Sequence, residues 1–151
     1  MQFYYEDYIT YDNYNSKIEN LKIQSSMFLP DVLHFGNYRN LTHSALCLYS
    51  VLVWKLKVSF EQGLYDETRG NALYLQESQE SISKFLKMST TTLRSCYNQL
   101  ELVGLVDIVK LGARKVDKIY IKLPNHSGLT PEDIEKIKEE TDITWEIVTK
   151  F

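Results

Sequence analysis

Thr91, Arg94, Ser95 and Asn98 are spaced so that a helix would gather them on one face. All four side chains form hydrogen bonds, only one is charged, and none is too bulky for the major groove of a duplex. That is the composition of a helix laid against base edges, where arginine pairs with guanine and asparagine with adenine. A second set, Lys110, Arg114 and Lys115, lies in Lys110-Leu111-Gly112-Ala113-Arg114-Lys115-Val116, a glycine-containing loop with three cations and no anion. A short cationic loop has little shape with which to read bases and suits phosphate oxygens. Lys87 and Lys118 flank these sets and join them as expected DNA contacts.

The elements that would position these residues follow from the apolar spacing. Ile82, Phe85 and Leu86 recur at i, i+3 and i+4, which predicts a short helix with its apolar face on those three residues and Ser81 and Lys84 opposite. Lys87-Met88-Ser89 breaks the pattern, and Ser89 is placed to cap a second helix. The apolar positions of that helix are Leu93, Cys96, Tyr97, Leu100 and Val103, and Gly104 stands where a left-handed residue ends it. Leu105–Val109 and Lys118–Lys122 read as β-branched strands joined by the cationic loop, and Asn71–Leu75 as a third strand beside them. Helix, turn, helix and hairpin are the order of an α+β winged helix-turn-helix with a small antiparallel sheet, the loop being its wing. The same elements also serve as a scaffold or a protein-interaction module; binding of duplex DNA by the wing at physiological salt separates the two.

Charge favours the first reading. The chain carries 17 Lys+Arg against 20 Asp+Glu, a net of −3, which alone argues against nucleic acid. From Ser81 to Lys122, however, eight cations face three anions, a local +5 that leaves −8 for the rest. Such a stripe predicts modest, steeply salt-dependent affinity for a phosphate backbone.

At 151 residues and 44% hydrophobic content the chain can bury one core. Three regions are expected: a Tyr-rich acidic arm over 1–27, a winged-helix domain over 28–124 and a helical extension over 125–151. In the arm Tyr4, Tyr8 and Tyr11 permit a short amphipathic helix, with an irregular arm the alternative because Asp and Asn are frequent, and the arm either folds onto its own domain or reaches a second subunit. Ser26–Pro30 suits an edge strand, and Asn37–Asn40 a loop. A helix capped by Thr42 and running to about Ser59 is apolar on more than one face. Part of its Leu46, Val53 and Trp54 side is left for another chain, so a homodimer is expected, its recognition helices roughly 34–36 Å apart on one duplex. Gly63–Gly70 reads as a polar turn. Thr130-Pro131-Glu132-Asp133 opens a terminal helix with Ile134, Ile137 and Ile143 on its apolar stripe, followed by Trp145, Ile147, Val148 and Phe151. That helix either packs back on the domain or docks a partner.

Phe28-x-Pro30, Leu33, Tyr38-x-x-Leu41, Ala45-x-x-Leu48-Tyr49-x-x-Leu52, Ser59, Gly63, Leu100-Glu101-x-x-Gly104-Leu105 and Ile119-Tyr120 resemble the N-terminal domain of the RepA-type plasmid replication initiators of Gram-positive bacteria. The resemblance covers about Phe28 to Leu123 and rests on spaced core positions. It implies a dimeric winged helix that binds origin repeats (iterons), with Thr91, Arg94, Ser95 and Asn98 on bases and Lys110, Arg114 and Lys115 on phosphate. Family members tend to carry lysines early in the recognition helix, where this chain has Ser89-Thr90-Thr91-Thr92. A repressor, or an accessory factor of plasmid transfer or partition that meets other replication or transfer proteins, is the alternative.

Catalysis is not expected. There is no glycine-rich phosphate loop, no Cys/His cluster at metal spacing and no serine elbow, and His34, His43 and His126 are scattered. Neither a cofactor nor a metal is expected. Cys47 and Cys96 suit buried reduced thiols. No apolar run reaches membrane length and no basic segment precedes an apolar one at the N-terminus, so a cytoplasmic protein without membrane contact is expected.

Overall fold

The structure is a computed structural model that describes residues 8–17, 33, 36–124, 130–132 and 135. Its central helix, α1 (His43–Gln62), begins where the Thr42 side chain accepts a hydrogen bond from the Ala45 amide. Strands β1 (Tyr65–Asp66) and β2 (Ala72–Leu75) follow, then α2 (Gln79–Leu86), α3 (Thr90–Leu102), β3 (Val106–Val109) and β4 (Lys118–Ile121). Ser78 and Ser89 cap α2 and α3 as Thr42 caps α1, each taking the amide three residues on.

The sheet is antiparallel in the order β1-β2-β4-β3. Tyr74 pairs with Tyr120, and Asp107 with the same Tyr120 from the other side. Because side chains alternate along a strand, Leu73, Leu75, Val106, Ile119 and Ile121 enter the core with Leu48, Leu52 and Leu56 of α1 and Leu93 and Leu100 of α3. Tyr74, Tyr120, Ala72 and Val109 take the opposite face, where Tyr8 covers them. There the Tyr8 hydroxyl donates to Asp107, Tyr120 Oη donates to Asp66 at 2.8 Å, and Lys122 Nζ lies 3.5 Å from Asp107.

All three long elements around the motif end alike. At α1 the amides of Gly63 and Leu64 reach back to the carbonyls of Phe60 and Ser59; at α3 those of Gly104 and Leu105 reach Glu101 and Leu100. At α2 the same pair of bonds runs from Lys87 and Met88 to Lys84 and Ser83. Each is a Schellman closure with a left-handed residue after the helix, glycine twice and lysine at the motif's turn (φ 57°).

Tyr8 to Thr10 are part of the sheet. Tyr8 bridges Lys122 and Thr10 bridges Ala72, so the segment enters where β2 and β4 diverge. Ile9, fully buried, donates its amide to Ile121 at 3.1 Å and accepts from Leu73 at 3.0 Å. Thr10 and Asn13 then cap one another, amide to side chain in both directions, and a helical turn begins at Tyr14, whose ring stacks on Phe60 at 4.4 Å.

The structure corrects several expectations. Tyr8 to Thr10 are extended rather than helical, because backbone pairing with two strands outweighs a weak helical pattern; Tyr4 lies outside the described residues. The described part of the arm, residues 8–17, folds onto its own domain. Gly63–Gly70 contains β1 and a 3-10 turn, Glu67–Arg69, so the sheet has four strands where three were expected. α1 continues to Gln62, and Asn37–Asn40 begins inside a 3-10 turn, Gly36–Tyr38. Leu46 and Val53 are buried within this chain, Val53 completely, leaving Trp54 as the exposed member of that trio at 50%. Phe85, assigned to the apolar face of α2, is 52% exposed and stacks on Trp54 at 5.7 Å between centroids; from that helix Ile82 is fully buried in the core and Leu86 packs against it half-buried. Cys96 is buried, Cys47 is half-buried, and both are free thiols. Pro131, Glu132 and Glu135 are helical, while Ser26–Pro30, the rest of the terminal helix and its apolar tail lie outside the described residues.

Candidate nucleic-acid interface

α3 is held by Leu93, Cys96, Tyr97 and Leu100, which are buried at one face. Thr91, Arg94, Ser95 and Asn98 are all exposed on the other. Ser89 and the left-handed Lys87 set the angle at which α3 leaves the turn, and Ser83 Oγ donates to the Met88 carbonyl, fixing the turn to α2. The face is continued by Leu102, 88% exposed, which the sequence analysis did not single out. An exposed leucine on that face is suited to a thymine methyl group; the available signal was its place four residues after Asn98.

One flank of α3 meets the start of α1. Gln99 Oε1 accepts from the Thr42 amide at 3.0 Å and from Thr42 Oγ1 at 3.2 Å, locking the two helices together. Thr42, Ser44, Thr91, Thr92 and Ser95 line the shallow hollow between them. The first turn of α1 carries no acidic side chain, so its amide end presents a positive pole beside the exposed face. Thr42 and Ser44 had no such role in the sequence reading, since only the helix crossing brings them there.

The other flank is the wing. Lys110 to Val116 are exposed throughout, and the loop turns on Gly112 (φ 109°) and Arg114 (φ 65°), with the Lys115 amide bonded to the Gly112 carbonyl at 3.3 Å. Near it, the Glu101 carboxyl is pushed up by burial and by Asp107, against the pull of the Ile108 amide and Lys110.

The structure does not bring Lys118 to this surface. With Ile119 and Ile121 turned into the core, alternation places Lys118 on the opposite face of the sheet, where its Nζ lies 4.6 Å over the Tyr74 ring. Lys122, counted in the positive stripe, is buried on that same face beside Asp107. Of the eight cations of the stripe, six are left: Lys84, paired with Glu80 at 3.2 Å, and Lys87, Arg94, Lys110, Arg114 and Lys115. Across the sheet, burial works to raise the Asp66 carboxyl, but bonds from Thr68 and Tyr120 outweigh it and hold the group low. Among the described residues no group of histidine, cysteine and carboxylate side chains is arranged to hold a metal, and no helix is long and apolar enough to cross a membrane.

A capped helix pair, an outward second helix and a cationic hairpin closing a small sheet define a winged helix-turn-helix. The chain belongs to the replication initiator protein A (RepA) N-terminus family, whose model matches residues 26–148. A solved structure described as "Structure of Rep-DNA complex" is 27% identical, with a TM-score of 0.67 over 83% of this chain and 95% of that one. Another, "N-Terminal domain of DNA binding protein", is also 27% identical, with a TM-score of 0.66 over 83% and 94% of the two chains. A third, "Structure of MDR initiator", shares the fold at 20% identity, with a TM-score of 0.64 over 82% of this chain and 94% of that one. No curated protein sequence matches the chain.

Proposed function

We propose that this chain binds double-stranded DNA by sequence, as the origin-recognising domain of a plasmid replication initiator whose site is built from repeats. The observation that carries the reading is the exposed face of α3, hydrogen-bonding and nearly uncharged, set beside a cationic wing. Membership of an initiator family and the 27% identity to a chain described in a Rep-DNA complex support it. Thr91, Arg94, Ser95 and Asn98 meet base edges; Lys87, Lys110, Arg114 and Lys115 meet phosphates. The protein acts in the cytoplasm, where its DNA is, and no catalytic step belongs to the reading.

Selection of bound duplexes from a random pool tests it. A recovered direct repeat supports an initiator, a palindrome favours a repressor, and no enrichment over the starting pool overturns sequence-specific binding. The reading includes a homodimer, supported by the family resemblance and by Trp54, Val58 and Phe85, which remain exposed on α1 and α2. Sedimentation at micromolar concentration decides this: a species of twice 17.7 kDa supports the dimer, and a monomer removes it.

A further inference from the structure

Between the wing and the start of α2 lies a cleft of about 240 Å³ whose walls include Glu77, Gln79, Tyr97, Arg114, Lys115 and Asp117. Three features meet in it. The first is Tyr97, reaching the cleft from the buried face of α3. Its side chain is 2% exposed, and its hydroxyl is the one buried side-chain polar atom without a hydrogen-bond partner among the described residues. A buried donor with no acceptor is unfavourable, and phenylalanine would fill the same space without that cost. The second is the amide end of α2. Ser78 takes the Ser81 amide, which leaves the amides of Gln79 and Glu80 without an acceptor inside the helix. The third is the wing, which closes the far wall with Arg114 and Lys115.

The charge of the lining favours an anion. Glu77 is already matched, by Lys55 at 3.0 Å and by the Ser81 hydroxyl donating at 2.8 Å. Asp117 offsets one of the two wing cations, so one positive charge remains. Donors without acceptors and a residual positive charge call for a ligand made of acceptor oxygens. The wing, exposed along its length, is the wall that can yield to let an oxygen reach the hydroxyl.

We propose that this cleft seats one backbone phosphate of the bound duplex, with Tyr97 Oη donating to a phosphate oxygen and Arg114 and Lys115 closing over it. The proposal rests on the DNA-binding reading above and adds to it a contact from the buried side of α3. Tyr97 would then be a positioning residue that fixes the duplex against the wing while the outer face reads bases.

Tyr97→Phe in the full chain tests this, using the duplex recovered by selection and a set of copies each carrying one neutral methylphosphonate. The expected results are a melting temperature at or above that of the unaltered chain and affinity about tenfold lower. One methylphosphonate should weaken the unaltered chain by a larger factor than it weakens Tyr97→Phe, which keeps only the Arg114 and Lys115 contacts to lose, the signature of a shared contact. A lower melting temperature means that the hydroxyl has a partner in the free chain, and overturns the proposal. So does unchanged affinity for a duplex that the unaltered chain binds, with the DNA-binding reading left standing. Failure of the unaltered chain to bind any duplex overturns both. Inorganic phosphate supplies the remaining arm: if it shifts the Tyr97 ring resonances but no methylphosphonate couples to Tyr97, the cleft is a site for free anions and the duplex contact is overturned.

Discussion

Lys87 occupies the one left-handed helix closure of the three that is not glycine, and replacing it separates stability from binding. For a residue with a Cβ the left-handed conformation costs roughly 1–2 kcal/mol. Glycine removes that strain, while its extra freedom in the unfolded chain returns about 0.5–1 kcal/mol of the gain. Nothing else in the closure depends on the side chain, since both of its bonds, from the amides of Lys87 and Met88, are made by backbone. Lys87→Gly should therefore stabilise the fold by about 0.5–1 kcal/mol, raising the melting temperature by about 2 °C for a chain of this length. Binding should move the opposite way. Loss of one phosphate contact lowers the slope of log K against log salt by about 0.9, which between 1 M and 0.15 M salt amounts to about fivefold in affinity. Calorimetry on the free protein and duplex titrations at several salt concentrations measure the two effects separately. An unchanged slope would show that Lys87 does not touch the backbone, and a drop in melting temperature would refute the strain argument.

Arg94→Ala should relax preference at one position of the recovered site by about 1–3 kcal/mol, read by titration against single-base variants; equal weakening for cognate and random duplex would make it a phosphate contact. Replacing Arg114 and Lys115 together by alanine should weaken all duplexes alike and lower the salt slope by about 1.8, and an intact slope would remove the wing from the interface. Four tyrosines have hydroxyls pushed well up by burial: Tyr49 and Tyr97, and also Tyr8 and Tyr120, where carboxylates Asp107 and Asp66 add to it. The unfolded chain releases these protons near pH 10 while the folded chain holds them, so stability is complete below that pH and falls as it is exceeded. Urea midpoints at pH 9 and pH 11 measure this, and equal midpoints would contradict it.

Where local chemistry decides structure, the sequence was a sufficient guide. Thr42 and Ser89 cap helices because a side-chain oxygen three residues ahead of a free amide suffices, and β3 and β4 followed from their β-branched residues. Where a distant neighbour decides, it was not. β1 is two residues long and exists because Leu73 and Ala72 offer it a ladder. Phe85 fits the apolar spacing of α2 as well as Leu86 does; its neighbour Trp54, on another helix, draws it to the surface. Of the candidate site, the residues on α3 and the wing follow from period and loop composition. Lys118 does not, because the side of a strand that faces out is fixed only once its partners are known. The Thr42–Ser44 hollow emerges only when α1 and α3 are laid across one another.

The insertion of Ile9 between β2 and β4 sets an order in time. Ile9 is synthesised before either neighbour, yet Leu73 and Ile121 must both exist before its amide and carbonyl are paired. During synthesis the first piece of the sheet to leave the ribosome is thus the last to be used, and a nascent chain that has not reached β4 carries an open gap with unpaired edges. Closure over so long a span of sequence is slow compared with helix formation, so the helix pair of the motif can form well before the sheet that backs it is sealed. A tag or cleavage that disturbs Tyr8 to Thr10 would act at Lys122, at the base of the wing strand, even though it lies distant from the motif in sequence.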